Sequence, residues 1–469
     1  MSIIIPANSA VSGGFDVANS CMFDGASARM TRTQGSGNRQ IFTLSTWFKT
    51  AKTNADQTFY GSFADSSNYD YIFLNSSGQM NVNFRASGSN TAYVTTNRLF
   101  RDVSAWYHLV VAVDTTQGTS SNRIKIYING VQETSFATAT YPSVNTNTTF
   151  NNGGAAFVGS VDGSQQYFNG YLAEVVWLDG QALAPTSFGE FDEDSSIWKP
   201  IGVSGLTFGT RGFYLDFEDS SDLGNDAVGS NNFTANNLAA TDQATDTCTN
   251  NFATLNSIYK NYNQPTFTQG NTTTSSASSG YFNAFSSIAV STGKWYAEIK
   301  RGSSESQIGI SSLNDAQTLF PQADYYIGET SKSLGISSGD GKYRIGTTAT
   351  TYGSSYTTGD IIGLALDLTN KKLYASKNGA WANGSGTWDS TTFNASTGAI
   401  DISAVIPSGE YAYIGFSIGD PGTGFIANFG FPTFSISSGN ADDDGYGNFE
   451  YDVPGGYFSL NTKNLAEYG

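Results

Sequence analysis

The stretch GDIIGLALDLTNKKLYASKNGAW, Gly359 to Trp381, has an earlier counterpart in WYHLVVAVDTTQGTSSNRIKIYINGVQET, Trp106 to Thr134. Each joins an alternating segment, a polar break, a second alternating segment and an Asn-Gly pair. Ile124, Ile126 and Ile128 fall on one side of an extended chain, with Lys125 and Tyr127 on the other, the period of a half-buried strand. Leu364, Leu366 and Leu368 alternate in the same way against Ala365, Asp367 and Thr369. Asn129-Gly130 and Asn378-Gly379 supply the positive-φ pairs of tight type I′ turns. Two antiparallel hairpins this far apart predict two all-β units rather than one large sheet.

The rest of the chain agrees. Its 469 residues suffice for two or three cores. Gly numbers 52 and only 13% of residues are charged, so strong helix formers are scarce and periodic strands recur between turn residues. One helical turn is predicted at LAPTSFGE, where Pro185 suits a first helical position and a 3₁₀ turn fits equally. Cys21 and Cys248 are expected in separate units, outside any disulfide framework, and one histidine argues against a zinc cluster. A net charge of −17 repels a phosphate backbone and an anionic membrane surface, so neither nucleic acid nor membrane is an expected partner. MSIIIPANSAVSGG has no basic segment before its apolar run and is not expected to be a secretory signal. Nor does any window approach the ~20 apolar residues of a membrane span.

From the start to about Pro200 the segments FTLSTWFKT, WYHLVVAVD, RIKIYINGVQE and FNGYLAEVVWLDGQAL follow in order. They resemble the laminin G-like branch of the concanavalin A-like lectin/glucanase superfamily, which implies a jelly-roll sandwich over residues 1–200. Residues 201–256, rich in Asn, Asp, Thr and Ala, read as a bridge that packs through GFYLDF and otherwise stays polar. From 257 to 435, GKWYAEIK, GDIIGLALDLTNKKLYASKNGAW and FIANFGFPTF resemble the SPRY (B30.2) domain, implying a second sandwich. Residues 436–469 form an acidic, Gly-rich tail ending in the alternating YFSLNTKNL. The expected fold class is therefore all-β, two antiparallel sandwiches joined by a bridge. The tail, IIPANSAVSGGFDVANSCMFDG at the start and YLAEVVWLDGQALAPTSFGEFDEDSSIWKPI together resemble virion proteins of marine bacteriophages. That resemblance implies a tail fibre, spike or capsid appendage located in the virion. It further implies other virion proteins as partners, host-surface glycans as ligands, and a homo-oligomer.

The candidate chemistry is sparse. Glucanases of the superfamily carry alternating acids on one strand, and GEFDED offers Glu190, Asp192 and Asp194. The last is Asp rather than Glu and the segment follows a turn, so a solvated acidic loop is expected and no enzyme activity. Asn440, Asp442, Asp444 and Gly445 match the early positions of an EF-hand loop, but the closing acid falls at Tyr451, with Glu450 one residue early. Asp162 lies where a laminin G-like rim would bind calcium, and its Asp-Gly is also an ordinary turn. Calcium at Asp162 or at Asp442 and Asp444 is the only cofactor with residues to suggest it; none is expected. His108, without a neighbouring nucleophile or acid pattern, reads as a packed strand residue. Tyr69 and Tyr71, and Tyr325 and Tyr326, are the ligand candidates, because an aromatic ring offers a flat apolar face and a polar edge to a sugar. Strand alternation is expected to turn only one tyrosine of each pair outward.

Overall fold

A computed structural model describes residues 14–259, 263–277, 279–318, 320–321, 324–419 and 421–469. The first residues of the IIPANSAVSGG motif lie outside them. The described residues fall into two compact units, 14–251 and 252–469, each a sandwich of two packed sheets.

In the first unit one sheet runs Val131–Gln132, Ile124–Ile128, Tyr107–Asp114, Ile41–Thr50, Asn169–Asp179, Ser20–Asp24 and Gln243–Ala244, with Phe213–Leu215 also paired to Asn169–Asp179. Its partner sheet runs Phe136–Thr140, Ser89–Leu99, Gln79–Ala86, Asn68–Leu74, Gln57–Asp65, Ala155–Val158, Arg29–Thr33 and Thr234–Asn236. Between them lie Phe42, Leu44, Val111 and Trp177 from the first sheet and Ile72, Val82, Phe84 and Val94 from the second. Trp177 stacks on Phe42 at 4.7 Å and sits 4.7 Å from Tyr60, centring an aromatic-rich core.

The second unit pairs a ten-stranded sheet, built around Lys294–Lys300, Ile361–Asp367 and Lys372–Lys377, with a six-stranded sheet around Ser306–Ser312 and Ala412–Ile418. Every strand pairing among the described residues is antiparallel except one: Phe458–Ser459 runs parallel to Lys294–Lys300.

Both Asn-Gly turns form as the sequence predicts. Asn129 and Gly130 have φ of 48° and 79°, and Asn378 and Gly379 have 50° and 79°. The alternation holds less well in the second hairpin, where Ala365 is as buried as Leu364 and Leu366. Tyr296, Tyr374, Trp381, Phe449 and Tyr457 pack on that outer side, so the strand is covered on both faces.

Four expectations need correction. Residues 201–251 do not form a bridge between units: Leu215, Tyr214 and Phe213 pair with Val175, Val176 and Trp177, and two further short strands close edges of the first sandwich. The packing expected of GFYLDF holds, with Phe213, Leu215 and Phe217 in the core of the first sandwich, and Leu223 and Phe233 join them there. Residues 436–469 are likewise built into the second unit, through Phe458–Ser459 and the buried Phe449 and Tyr457. They end in a helix, Thr462–Tyr468, capped by the Asn461 side chain accepting from Asn464 N at 2.9 Å, where the sequence read as alternating. Finally, Cys21 and Cys248 share one unit, both as free thiols. The helical turn at Pro185–Ser187 is 3₁₀, with proline at its start.

Candidate functional site

Consecutive antiparallel strands in tight register lay residues of equal parity side by side. On the outer face of the second sheet of the first unit, Gly61 lies opposite Tyr71, Tyr71 opposite Asn83, and Asn83 opposite Tyr93. Along the Asn68–Leu74 strand the same parity aligns Tyr69, Tyr71 and Phe73, with ring centroids 5.7 and 4.4 Å apart, and Phe63 extends the row at 6.0 Å from Tyr69. Tyr69 and Tyr71 thus both face outward. The expectation of one per pair fails because positions two apart on a strand share a face.

The polar members of this face are as ordered as its rings. Arg85 lies over Tyr69 at 5.6 Å. Asn83, flanked by Tyr71 and Tyr93, is only 3% exposed, and its Oδ1 has no hydrogen-bond partner. An unpartnered buried amide oxygen costs about 1–3 kcal/mol, so Asn83 Oδ1 is a local cost beneath the two tyrosines. Burial pushes the Tyr71 phenol up to about 12, with Tyr69, Tyr93 and Asp56 adding to the rise, so its hydroxyl stays protonated and can donate as well as accept.

Gly61 leaves room for the 160–166 loop: a Cβ there would meet the carbonyl oxygens of Val161 and Ser160 at 2.6 and 2.8 Å. Asp162 shapes that loop. Its Oδ1 accepts from Ser164 N and Oγ at 2.9 and 2.8 Å, and its Oδ2 from Gln165 Nε2 at 2.8 Å. The loop delivers Gln166 to Tyr71, so Asp162 supports the wall of the face through a turn.

The remaining candidates lie elsewhere. Tyr325 packs against the cluster of Tyr259, Phe285 and Phe320 in the second unit, and Tyr326 rests on Tyr281 at 4.9 Å. Asp442 is buried and has five protein donors: Ser459 N and Oγ and Asn464 Nδ2 on Oδ2, and Asp444 N and Tyr446 N on Oδ1. It pins the tail rather than opening toward an ion. Asp444 accepts from the Tyr468 hydroxyl at 3.3 Å on the surface. Among the described residues no group of three His, Cys, Asp or Glu side chains converges.

Glu190 and Asp192 share Lys199, at 3.3 and 3.2 Å. The Ser195 N–H and hydroxyl, with Lys199, hold the Asp192 carboxyl down at about 2, and Asp192 also accepts from Asp194 N at 3.2 Å. Glu190 thus lies within the short Gly189–Phe191 strand, paired with Lys199, while Asp192 and Asp194 belong to the turn that follows it. His108 is buried: Trp198 Nε1 donates to its Nδ1 at 2.9 Å, so Nε2 carries the proton toward Ser45 Oγ at 2.8 Å. Burial lowers its pKa to about 3.

Asn83, Phe73, Tyr93 and Gln166 went unread in the sequence. The signal for the first three was present: NYDYIF and MNVNFRA place ring or amide residues at every second position, and TAYVTT sets Tyr93 between Thr91 and Thr95, opposite to the core-facing residues. Gln166 arrives on a loop, where no periodicity exists to find it.

Residues 24–186, which include this face, match a laminin G family model described as the Concanavalin A-like lectin/glucanases superfamily. No curated protein matches the chain. Solved structures to which the chain is similar include a heptameric SAP-like pentraxin from Limulus polyphemus, at 18% identity over 36% of this chain and 80% of that one, TM-score 0.26. Another is domain 4 of AbnA, a GH43 extracellular arabinanase from Geobacillus stearothermophilus in complex with arabinotriose, at 21% identity over 36% and 73%, TM-score 0.27. The SPRY domain of human HERC1 is similar at 17% identity over 33% and 86%, TM-score 0.24. By its own strands the chain is nearly all β, and residues 24–186 carry the lectin/glucanase superfamily match. None of its helices among the described residues is long and apolar enough to cross a membrane.

Proposed function

We propose that the protein binds carbohydrate without turning it over, on the outer face that carries Tyr69, Tyr71, Phe73, Asn83 and Tyr93. The observation that carries this reading is the row of part-exposed rings Phe63, Tyr69 and Tyr71 along that face, with centroids 6.0 and 5.7 Å apart. Ring faces attract the C–H faces of a pyranose, while the Tyr71 hydroxyl, held protonated, donates to or accepts from one of its hydroxyls. The lectin/glucanase match over residues 24–186 supports the ligand class. Binding without hydrolysis is favoured because Glu190 and Asp192 are committed to Lys199 and a turn.

The protein would serve as an appendage of a phage particle, repeated in a homo-oligomer so that weak sites act together on the host surface. The sequence resemblance to marine phage virion proteins supports this setting. Neighbouring virion proteins would hold it, in a particle assembled in the bacterial host.

A glycan array followed by calorimetry on the full chain tests the reading. Binding is expected, weakened about tenfold or more by Tyr71→Ala with the circular dichroism spectrum unchanged. Absence of glycan binding alongside tight binding to assembled capsids would make the protein a decoration component instead. New reducing ends that vanish in Glu190→Gln would make it a depolymerase.

A further inference from the structure

The second unit holds a cavity of about 580 Å³, a size typical of small-molecule sites. It lies between the Asn378-Gly379 turn, the Ala380–Ala382 strand, residues 391–393 and residues 451–455. None of the sequence readings pointed to it, and it is independent of the face in the first unit.

Its walls combine rings with a hydroxyl that has no partner. Trp381 and Phe393 meet edge to face at 4.9 Å. Tyr451 closes over the turn, its ring so near Gly379 that a Cβ there would lie 2.6 Å from it. Ser376 lines the cavity at 1% exposure, and its Oγ has no hydrogen-bond partner. Nearby hydrogen-bonding groups are already committed: Tyr296 Oη donates to Glu298 at 3.2 Å, and the Asn378 side chain joins Asp360 and Ile361 N. No cationic side chain lines the cavity and one carboxylate, Asp452, does, which disfavours an anion.

We infer that this cavity is a second binding site, taking a neutral saccharide unit. A sugar places apolar C–H groups against Trp381 and Phe393 while offering Ser376 a hydroxyl that both donates and accepts. A charged phosphate or uronate would meet Asp452 with no compensating cation. A cationic side chain could use the rings and Asp452, but would offer the Ser376 proton no acceptor.

The experiment uses the full chain carrying Tyr71→Ala, so that this site and the first-unit face fail separately. Methyl glycosides of glucose, galactose, mannose and N-acetylglucosamine are presented singly in saturation-transfer NMR. At least one should receive saturation, with affinity about tenfold lower when Ser376→Ala is added. Saturation should be lost with Thr392→Trp, which blocks the mouth from an exposed position. Matching melting curves for the three proteins check that the variants fold. Three results would overturn the inference: no saturation of any glycoside, saturation undiminished in both added variants, or preferential binding of N-acetyl-lysine methylamide abolished by Asp452→Asn.

Discussion

Lys49 Nζ lies 2.8 Å from Asp246 Oδ2, with the two side chains 1% and 0% exposed. Lys49 belongs to the central Ile41–Thr50 strand, while Asp246 comes from the segment whose composition reads as a linker. The pair is satisfied on both sides: Asn251 Oδ1 accepts from Lys49 at 2.8 Å, and Trp106 Nε1 donates to Asp246 at 3.1 Å. Residues 243–251 are thereby fastened to the first sheet by charge as well as by strand pairing.

Removing one partner leaves the other charge buried without compensation. Lys49→Met should cost about 3–5 kcal/mol in urea denaturation. The double variant Lys49→Met with Asp246→Leu should recover most of that loss. If Lys49→Met alone left the midpoint unmoved, the segment would not be part of the cooperative fold.

Glu174 sits in a bulge of the Asn169–Asp179 strand at φ 52°, accepting from the Tyr214 hydroxyl at 2.7 Å. Burial, aided by Asp216 and Glu218, raises its pKa from 4.5 to about 7. Between those values the folded protein holds a proton that the unfolded chain has released, so this group's contribution to stability falls as pH rises and levels off above 7. Glu174→Gln should flatten the decline of melting temperature between pH 5 and 7, most visibly as a higher melting point on the alkaline side.

His108 is the chain's single histidine, so its imidazole signals need no assignment. Nitrogen-15 NMR should report the Nε2-protonated neutral tautomer, unchanged down to about pH 5. Its pKa lies well below the unfolded value of 6.5, so stability declines as pH falls below 6.5, opposite in sign to Glu174. A titration centred near 6.5 would mean that the Trp198 contact is absent in solution.

Gly379 and Gly359 both have positive φ, 79° and 91°, but only Gly379 has a ring against it. Gly359→Ala should cost about 1 kcal/mol, from backbone strain. Gly379→Ala should cost more, because the Tyr451 ring must also move. Equal losses would show that the tail residues around Tyr451 contribute nothing at the turn.

The fold class was legible because alternation and Asn-Gly chemistry are local properties, and Ile124 to Gly130 and Leu364 to Gly379 carry both. Domain extent was not. The packing expected of GFYLDF holds, but Leu223 and Phe233 lie among Asn, Asp, Ser and Thr, so composition read as linker while these large side chains determined membership of the core. The candidate site was half legible. Tyr69 and Tyr71 were found by residue type, but Asn83 and Tyr93 matter through cross-strand register, which a sequence does not display. Ser376 and Trp381 pair across one hairpin and Phe393 meets Trp381, but the cavity also takes a wall from residues 451–455, far away in sequence.

The parallel placement of Phe458–Ser459 beside Lys294–Lys300 has a consequence for biogenesis. On a ribosome the first sandwich has all its strands once residue 244 has emerged, whereas the second lacks one until 459. The two should therefore mature in sequence, with the later one exposing that unfinished position to chaperones while the roughly thirty residues from Asn428 to Ser459 are made, on the order of seconds.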